Sequence, residues 1–246
     1  MNKYFYDLHI HSCLSPCADD EMTPANIAGM AAIQGLNLVA LTDHNSCKNC
    51  TAFFAHAKRY GIVPVAGMEL TTSEDIHVIC LFPTLESAME FDRIVSDKLI
   101  KVENKPKIFG NQYILDENDE KIGEEKYLLI NATSLDLESA HETCENLGGV
   151  CYPAHIDRES GGLIAVLGDF PEEPVYSAFE LNFKDSLEEH RKKYPVIHDK
   201  HFVVSSDAHN LWSISEAENF LELDDEPYSS AKVREALIEY LKGVYV

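Results

Sequence analysis

Short apolar runs that end in histidine or acid, with helix-like stretches between them, constrain this chain more than any other feature. Tyr4-Phe5-Tyr6 leads into Asp7-Leu8-His9-Ile10-His11, Leu36 to Leu41 into Thr42-Asp43-His44-Asn45, and Ile62 to Ala66 into Gly67-Met68-Glu69. Between them Thr23-Pro24 opens a helix over Ala25 to Gln34, with Thr as N-cap and Pro at the first helical position. A second helix, roughly Cys50 to Tyr60, stops at Gly61. Apolar strands that do not alternate, joined by helices, point to a parallel sheet covered by helices.

The fourth run, Ile76 to Leu81, carries His77 near its start. The rhythm then breaks. Leu85 to Leu99 reads as helix, and residues 104 to 127 are polar, with Tyr113-Ile114-Leu115, an acidic turn Asp116-Glu117-Asn118-Asp119-Glu120, and Ile122. This stretch reads as a hairpin-bearing excursion, either a cap over a site or a solvated flap. A helix from Leu135 to Leu147 restores the pattern. Val150 to His155, Ala178-Phe179-Glu180-Leu181 and His201 to His209 read as further strands, and a closing helix runs from Ser229 to Leu241.

Alternation along a strand puts His9 and His11 on one face, with Leu8 and Ile10 on the other. Two imidazoles pointing one way form a bidentate clip for a divalent metal. Alone they carry little weight, since so short a motif matches often by chance. Asp43 and His44, Glu69, His155, and Asp207 and His209 also fall at strand ends. In a parallel barrel all such ends open on one face, where active sites sit. Histidines 9, 11, 44, 77, 155 and 209 are therefore candidates for one site, joined by acids. The other histidines lie in helical or connecting sequence.

Taken together, Asp7-Leu8-His9-Ile10-His11-Ser12, Thr42-Asp43-His44-Asn45, Gly67-Met68-Glu69 followed by His77, Pro153-Ala154-His155 and Ser206-Asp207-Ala208-His209 resemble the PHP domain family, named for polymerase and histidinol phosphatase. The five motifs stand in the family's order across most of the chain. The resemblance implies an α/β fold, a distorted seven-stranded (β/α) TIM-like barrel occupying residues 1–246 as one domain, with an insertion over about 84–148. It also implies a cluster of two or three divalent ions, usually manganese, zinc or iron, and phosphoester hydrolysis. Carried onto this chain, His9, His11, Glu69 and Asp207 would hold a first metal. Glu69 would bridge to a third held by His77 and His155. A second would take His44, His209 and an acid from the first loop. That acid is best matched by Asp19, with Asp20 the alternative because Ser15-Pro16-Cys17-Ala18 lengthens the loop.

The donor types agree with this: mixed imidazole and carboxylate suits Mn, Zn or Fe. Asp7 and Asp43, each close to a candidate ligand, are expected to orient imidazoles by accepting their other N–H. A water shared between cations loses its proton near neutral pH and can attack phosphorus. Arg158, three residues after His155, is a candidate phosphate clamp through its bidentate guanidinium, or else a surface ion pair. Asn182, following its strand, is a candidate for the mouth of the site.

Composition narrows the partners. A formal charge of -22 repels polyanions at long range, which argues against a long nucleic acid or an anionic membrane and leaves a small phosphorylated substrate. No run is long enough to span a bilayer and no secretory signal is visible, so a cytoplasmic protein is expected. Oligomeric state is open. Seven cysteines do not suggest a disulfide framework. Cys13, Cys17, Cys47 and Cys50 could meet as a thiolate metal site, form a redox pair, or be inert. The expectation is a metal-dependent PHP-type phosphoesterase. Its competitors are an amidohydrolase cutting C–N bonds, which shares the opening His-x-His, and a non-catalytic metal-binding regulatory domain.

Overall fold

The structure is a computed structural model and describes residues 1–244. In chain order the elements are β1 Asn2–Asp7, α1 Pro24–Ile33, β2 Leu38–Leu41, α2 Cys50–Arg59, β3 Val63–Thr71, β4 His77–Phe82, α3 Leu85–Lys98, α4 Pro106–Phe109 and β5 Tyr113–Leu115. Then come β6 Lys121–Glu124, α5 Leu137–Asn146, β7 Val150–Pro153, α6 Leu163–Leu167, β8 Ala178–Leu181, α7 Leu187–Lys193, β9 His201–Val204, β10 Phe220–Leu223 and α8 Ser230–Leu241. Helix α1 starts as its sequence dictates. Thr23 accepts a hydrogen bond from the Asn26 N–H, and Pro24 fills a first-turn position whose N–H would have no partner.

One curled sheet of six strands, in the order β10-β1-β2-β3-β4-β7, carries the fold. Strands β1, β2 and β3 are parallel, but β4 is antiparallel to β3, and β7 to β4. The cause is local. Only Thr72 to Ile76 separate β3 from β4, and a tight turn with Asp75 at φ 64° closes them into a hairpin. A parallel neighbour would need a crossover of a dozen residues or more. The all-parallel sheet expected from sequence is corrected here. The hairpin also explains His77: Thr71 pairs with His77, so the start of β4 lies at the same end as the close of β3.

Strands β8 and β9 form a separate parallel pair. Their ties to the flanks of the large sheet are sparse: Ile156 N–H donates to the Glu180 carbonyl at 2.9 Å, and Ile10 bridges Ala208. The sheet is thus a curled half-barrel closed by point contacts rather than a continuous seven-stranded ladder. Strand β10, absent from the sequence reading, pairs antiparallel with β1 at the edge.

Alternation along the strands sorts the core into two layers. Outward residues such as Val39, Leu41, Met68, Val78 and Phe82 pack under the helices. Inward residues, among them Tyr6, Leu38, Val65, Ile79, Leu81 and Tyr152, meet Val233, Leu237 and Leu241 of α8, which plugs one end of the curl. Gly67 lies on the inward face of β3. A Cβ there would come 2.7 Å from Leu81 Cδ2 and 2.9 Å from the Cys80 carbonyl, so this strand spacing requires glycine. Strand β1 departs from strict alternation: it ends at Asp7, and Leu8 joins the inner layer with Tyr6 while Ile10 joins the outer one.

The excursion forms the β5–β6 hairpin and lies against the first two loops rather than standing free. Tyr113 N–H donates to the Cys13 carbonyl, and the Asn49 side chain bonds both Tyr113 and Leu115. Asn45 Nδ2 reaches the Leu129 and Asn131 carbonyls.

Candidate metal centre

Opposite α8, the inward positions change character. His9 and His11 beyond β1, His44 beyond β2, Glu69 on β3, His77 on β4, His155 beyond β7, and Asp207 and His209 beyond β9 converge on one spot. Glu69 is at the middle, 1% exposed. Its Oε2 lies 2.9 Å from His44 Nδ1 and 3.2 Å from His11 Nε2. Its Oε1 lies 2.8 Å from His77 Nδ1 and 3.0 Å from His155 Nε2. Three groups have donor atoms close enough to share an ion: His9, His11, Glu69 and Asp207; His44, Glu69 and His77; and His11, His44 and His209.

The first group has the shape of a coordination shell. His9 Nε2 and His11 Nε2 are 3.0 Å apart, His9 Nε2 is 3.5 Å from Glu69 Oε2, and Asp207 Oδ1 is 3.3 and 3.1 Å from the two nitrogens. Four ligands about 2.1 Å from a central ion in tetrahedral array sit about 3.4 Å from one another, and these edges match. Unpaired, such atoms are costly to bury. Glu69 Oε2 and His44 Nδ1 are buried without a hydrogen-bond partner. The donor set and its orphaned atoms therefore fit divalent cations.

Supporting bonds fix the imidazoles. His9 Nδ1 donates to Glu180 Oε1 at 2.8 Å, and the same oxygen accepts the His155 N–H. His11 Nδ1 lies 3.0 Å from Ser15 Oγ, which in turn donates to Asp43 at 2.7 Å. Asp43 thus acts on His11 through a serine, not by the direct contact expected. Asp7 touches no imidazole nitrogen. Its carboxylate accepts from the backbone N–H groups of His9, Ser206 and Ser215. Glu180 and Ser15 went unnoticed in the sequence. The first left a signal, the one charge in the buried run Ala178-Phe179-Glu180-Leu181; nothing marked the second.

Charge follows from this crowding. Burial lowers the affinity of His11 for a proton, but the bond to Asp207 and the nearby Glu69 carboxylate outweigh it and raise the group to about 9. Burial depresses His44 to about 3 and, with the nearby His11 charge, His209 to about 4. Burial would raise Glu69, yet the surrounding imidazoles hold it well below the ordinary carboxylate range. Burial raises Asp43, against His11 and the bonds from Ser12 and Ser15.

Backbone strain gathers here too. His155 at φ 27°, Asp207 at φ 52° and Asn45 at φ 48° occupy left-handed conformations that side chains disfavour. Such strain, of order 1–3 kcal/mol each, persists where surrounding structure enforces it and clusters at functional sites.

A cavity of about 100 Å3 opens over the cluster, lined by His44, Glu69, His77, His155, Asp207 and His209, with Arg158 and Ser160 at its rim. Arg158 reaches in and pairs with the Asp207 carboxylate. No residue of the 84–148 stretch lines this cavity, so the excursion backs the loops instead of capping the site. Asn182 lies elsewhere, in a neighbouring groove.

The first loop does not bring its acids to the cluster. Asp19 is exposed and belongs to none of the three groups; its N–H donates to the His209 carbonyl, which turns the loop. Asp20 is also exposed and accepts from Asn111. Cys17 of the same loop is exposed and belongs to none of the three groups. The four cysteines do not meet in a metal-binding group among the described residues: Cys47 and Cys50 are buried against the Gly67 carbonyl and Cys13 is buried separately.

Known proteins resemble this chain in sequence and in fold. The PHP domain family model matches residues 7–161. The chain is 30% identical over 92 residues to an error-prone DNA polymerase of Symbiobacterium thermophilum, covering 37% of this chain and 8% of the polymerase. It is 25% identical to a 5'-3' exoribonuclease of Haemophilus influenzae, covering 61% of this chain and 68% of that one. Its fold is similar to the lesion-specific endonuclease Q of Pyrococcus furiosus, with TM-score 0.64, 20% identity, and 99% of this chain over 56% of the other. Endonuclease Q in complex with a 27-mer duplex substrate carrying an abasic lesion matches at TM-score 0.58 and 20% identity, 99% of this chain over 57% of that one. A Bifidobacterium adolescentis protein described as a metal-dependent phosphoesterase matches at TM-score 0.53 and 18% identity, covering 94% and 95%. The chain spans little more than half of endonuclease Q and a small part of the polymerase.

The endonuclease Q complex corrects one expectation. Net charge does not rule out a long nucleic acid for a chain of this fold, because the local field at a cation-binding mouth is set by the ions and nearby cations. As for membranes, no helix among the described residues is long and apolar enough to cross one.

Proposed function

In a chain that belongs to the PHP domain family, we propose that the convergent cluster holds two or three divalent ions, manganese, zinc or iron, and that the protein hydrolyses a phosphoester. The observation that carries this reading is the set of four donor atoms, His9 Nε2, His11 Nε2, Glu69 Oε2 and Asp207 Oδ1, spaced like the corners of a coordination tetrahedron. His77 and His155 share Glu69 Oε1 and would hold a further ion with it; His44 and His209, with His11, would hold another. Bound there, divalent ions supply Lewis acidity toward phosphoryl oxygens and lower the pKa of a coordinated water.

The chain's own groups do the rest. Glu180 and the Ser15–Asp43 pair hold the Nδ1 protons of His9 and His11, which leaves both Nε2 lone pairs aimed at the cluster. Arg158 is placed to exchange Asp207 for a phosphoryl oxygen and present two parallel N–H donors. The strained turns at His155 and Asp207 set the angle of both side chains. Residues 1–246 act as one domain in this reading, with 84–148 as an insertion that braces the first two loops. Both phosphomonoesters and phosphodiesters, nucleic acids included, are substrates to test.

The test is direct. The protein loaded with Mn, Fe or Zn is assayed on p-nitrophenyl phosphate, a phosphodiester and a panel of phosphorylated metabolites, and its metal content is measured. His9→Ala should lower metal content and turnover far more than His190→Ala. Equal effects would undo the site, and metal binding without turnover would make this a metal-binding regulatory domain.

A further inference from the structure

Glu180 anchors His9 with one of its oxygens, and the other has no use in the chemistry above. Its Oε1 lies 2.8 Å from His9 Nδ1 and accepts the His155 N–H, whereas Oε2 is buried without a hydrogen-bond partner. Leaving a carboxylate oxygen unpaired away from water is costly. The last side-chain torsion of a glutamate is also soft, so a carboxylate gripped at one oxygen turns readily and takes the imidazole with it.

Strand alternation shows what shares the interior with that oxygen. Ala178 packs in the inner layer of the curl, while Phe179 and Leu181 pack in a separate cluster on the other face, so Glu180 points inward with Ala178. Tyr6 and Tyr152 belong to the same inner layer. The Tyr152 hydroxyl is buried and has no partner either. The Tyr6 hydroxyl accepts the Val204 N–H at 3.2 Å, which leaves its own O–H to give. Burial, reinforced by the Glu180 carboxylate, pushes the Tyr152 phenol well above its ordinary range. Burial raises Tyr6 as well, against the bond from Val204 and again with a contribution from Glu180. Both phenols therefore keep their protons and stand near the carboxylate as donors. Two hydroxyl donors and one orphaned acceptor, set too far apart for a direct bond, are the surroundings of a buried water, which takes two to four polar partners.

We propose that Tyr152 is a positioning residue for the metal centre: one water accepts from the Tyr152 and Tyr6 hydroxyls and donates to Glu180 Oε2, so that the carboxylate is held at both oxygens and keeps His9 Nε2 aimed at the ion. The inference rests on the reading of the cluster as a metal centre. Tyr176 supplies a control within the same molecule. Its hydroxyl is also buried without a partner, but it packs in the outer layer under the helices.

The full chain is titrated with zinc in competition with a chromophoric chelator, and the His9 Nδ1–H resonance is followed by NMR with labelled histidine. Tyr152→Phe keeps the ring and its volume and removes the hydroxyl alone. It should weaken the ion held by His9 about three- to tenfold, less than the 10–100-fold of a direct outer-shell partner, and shift the His9 resonance in the metal-free protein too. Tyr176→Phe should do neither. In a Glu180→Gln background Tyr152→Phe should cost clearly less than it does alone, because the two act through one link. Wild-type affinity and resonance in Tyr152→Phe, an equal loss in Tyr176→Phe, or an undiminished loss in the Glu180→Gln background overturns the assignment. A protein that binds no zinc would remove the metal reading, and the metal-free resonance would still decide the link from Tyr152 to His9. Zinc binding that Tyr152→Phe leaves untouched would remove the link and leave the metal reading standing.

Discussion

The two ends of the curled sheet are built by the same strands and have opposite chemistry. At the α8 end the inward positions are Tyr, Leu, Val and Ile, packed against Val233, Leu237 and Leu241. At the other end the same inward series continues as Glu69 after Val65 and Gly67 and as His77 before Ile79 and Leu81, while His155 leaves the alternation of Tyr152 and Ala154 through its left-handed backbone at φ 27°. One end gains stability from burial of apolar surface. The other buries imidazoles and carboxylates at a cost that only mutual pairing or bound cations offset. The comparison teaches that the apolar plug secures the fold, so that the opposite end can keep an arrangement that would not fold by itself.

Substitutions at the two ends should therefore separate function from stability. The largest effect is expected from Glu69→Gln, which removes the charge contacting His11, His44, His77 and His155. Metal content should collapse and turnover fall by roughly a hundredfold or more, since even outer-shell partners are worth 10–100-fold. Element analysis and steady-state assays read this directly, and wild-type metal content would break the comparison. At the opposite end Leu237→Ala should cost about 2–5 kcal/mol in denaturant unfolding. The protein that remains folded should still bind metal in the wild-type ratio.

Between these lies Glu180→Gln, which keeps the shape but weakens the hold on His9 Nδ1. Metal affinity should drop about 10–100-fold, with activity recovered at high metal concentration. Activity that does not recover would mean that Glu180 does more than orient His9. Gly110→Ala probes the brace instead. Gly110 sits at φ 102°, and a Cβ there would fall 1.9 Å from the Pro16 carbonyl oxygen. Relief by moving the first loop should cost about 1–3 kcal/mol and speed hydrogen exchange at the Tyr113 amide, which bonds to Cys13.

The smallest effect is in the pH dependence. His11 is raised to about 9 in the metal-free cluster, so it holds a proton at pH 7 that coordination through Nε2 must displace. Metal affinity should rise with pH through about 9 and beyond, since Glu180, Asp207 and Glu69 outweigh burial and raise His9 as well, with protons released on binding. Calorimetry in buffers of different ionisation enthalpy measures that release. An affinity flat between pH 6 and 9 would show that His11 is not a ligand.

Much of the site was legible because its donors are rare residue types set at the ends of recognisable apolar runs. His9, His11, His44, Glu69, His155, Asp207 and His209 could be picked out from placement alone, and His77 from its order within the set. Their supporting groups were not. Glu180 acts on His9 from 171 residues away, and Ser15 is one polar loop residue among several. Asp19 stands apart for a related reason: counting along a loop does not say which side chain turns inward, and here the backbone bond from Asp19 to His209 accompanies an exposed carboxylate. The antiparallel β3–β4 pair was not foreseen in the parallel-sheet reading because apolar strand sequence looks the same in either direction.

By itself the sequence determined the alternation of strands and helices, the family, and the residue types that meet at one end of the sheet. These depend on local patterning and on spacing along the chain. The tertiary structure alone decided the antiparallel turn that brings His77 to Glu69, the pairing of Asp43 with Ser15 in place of an imidazole, and the groove beside the cluster. The first is a local turn, only eight residues from Glu69 to His77, whose direction apolar strand sequence does not encode; the other two join segments far apart in sequence and exist only once the sheet has curled.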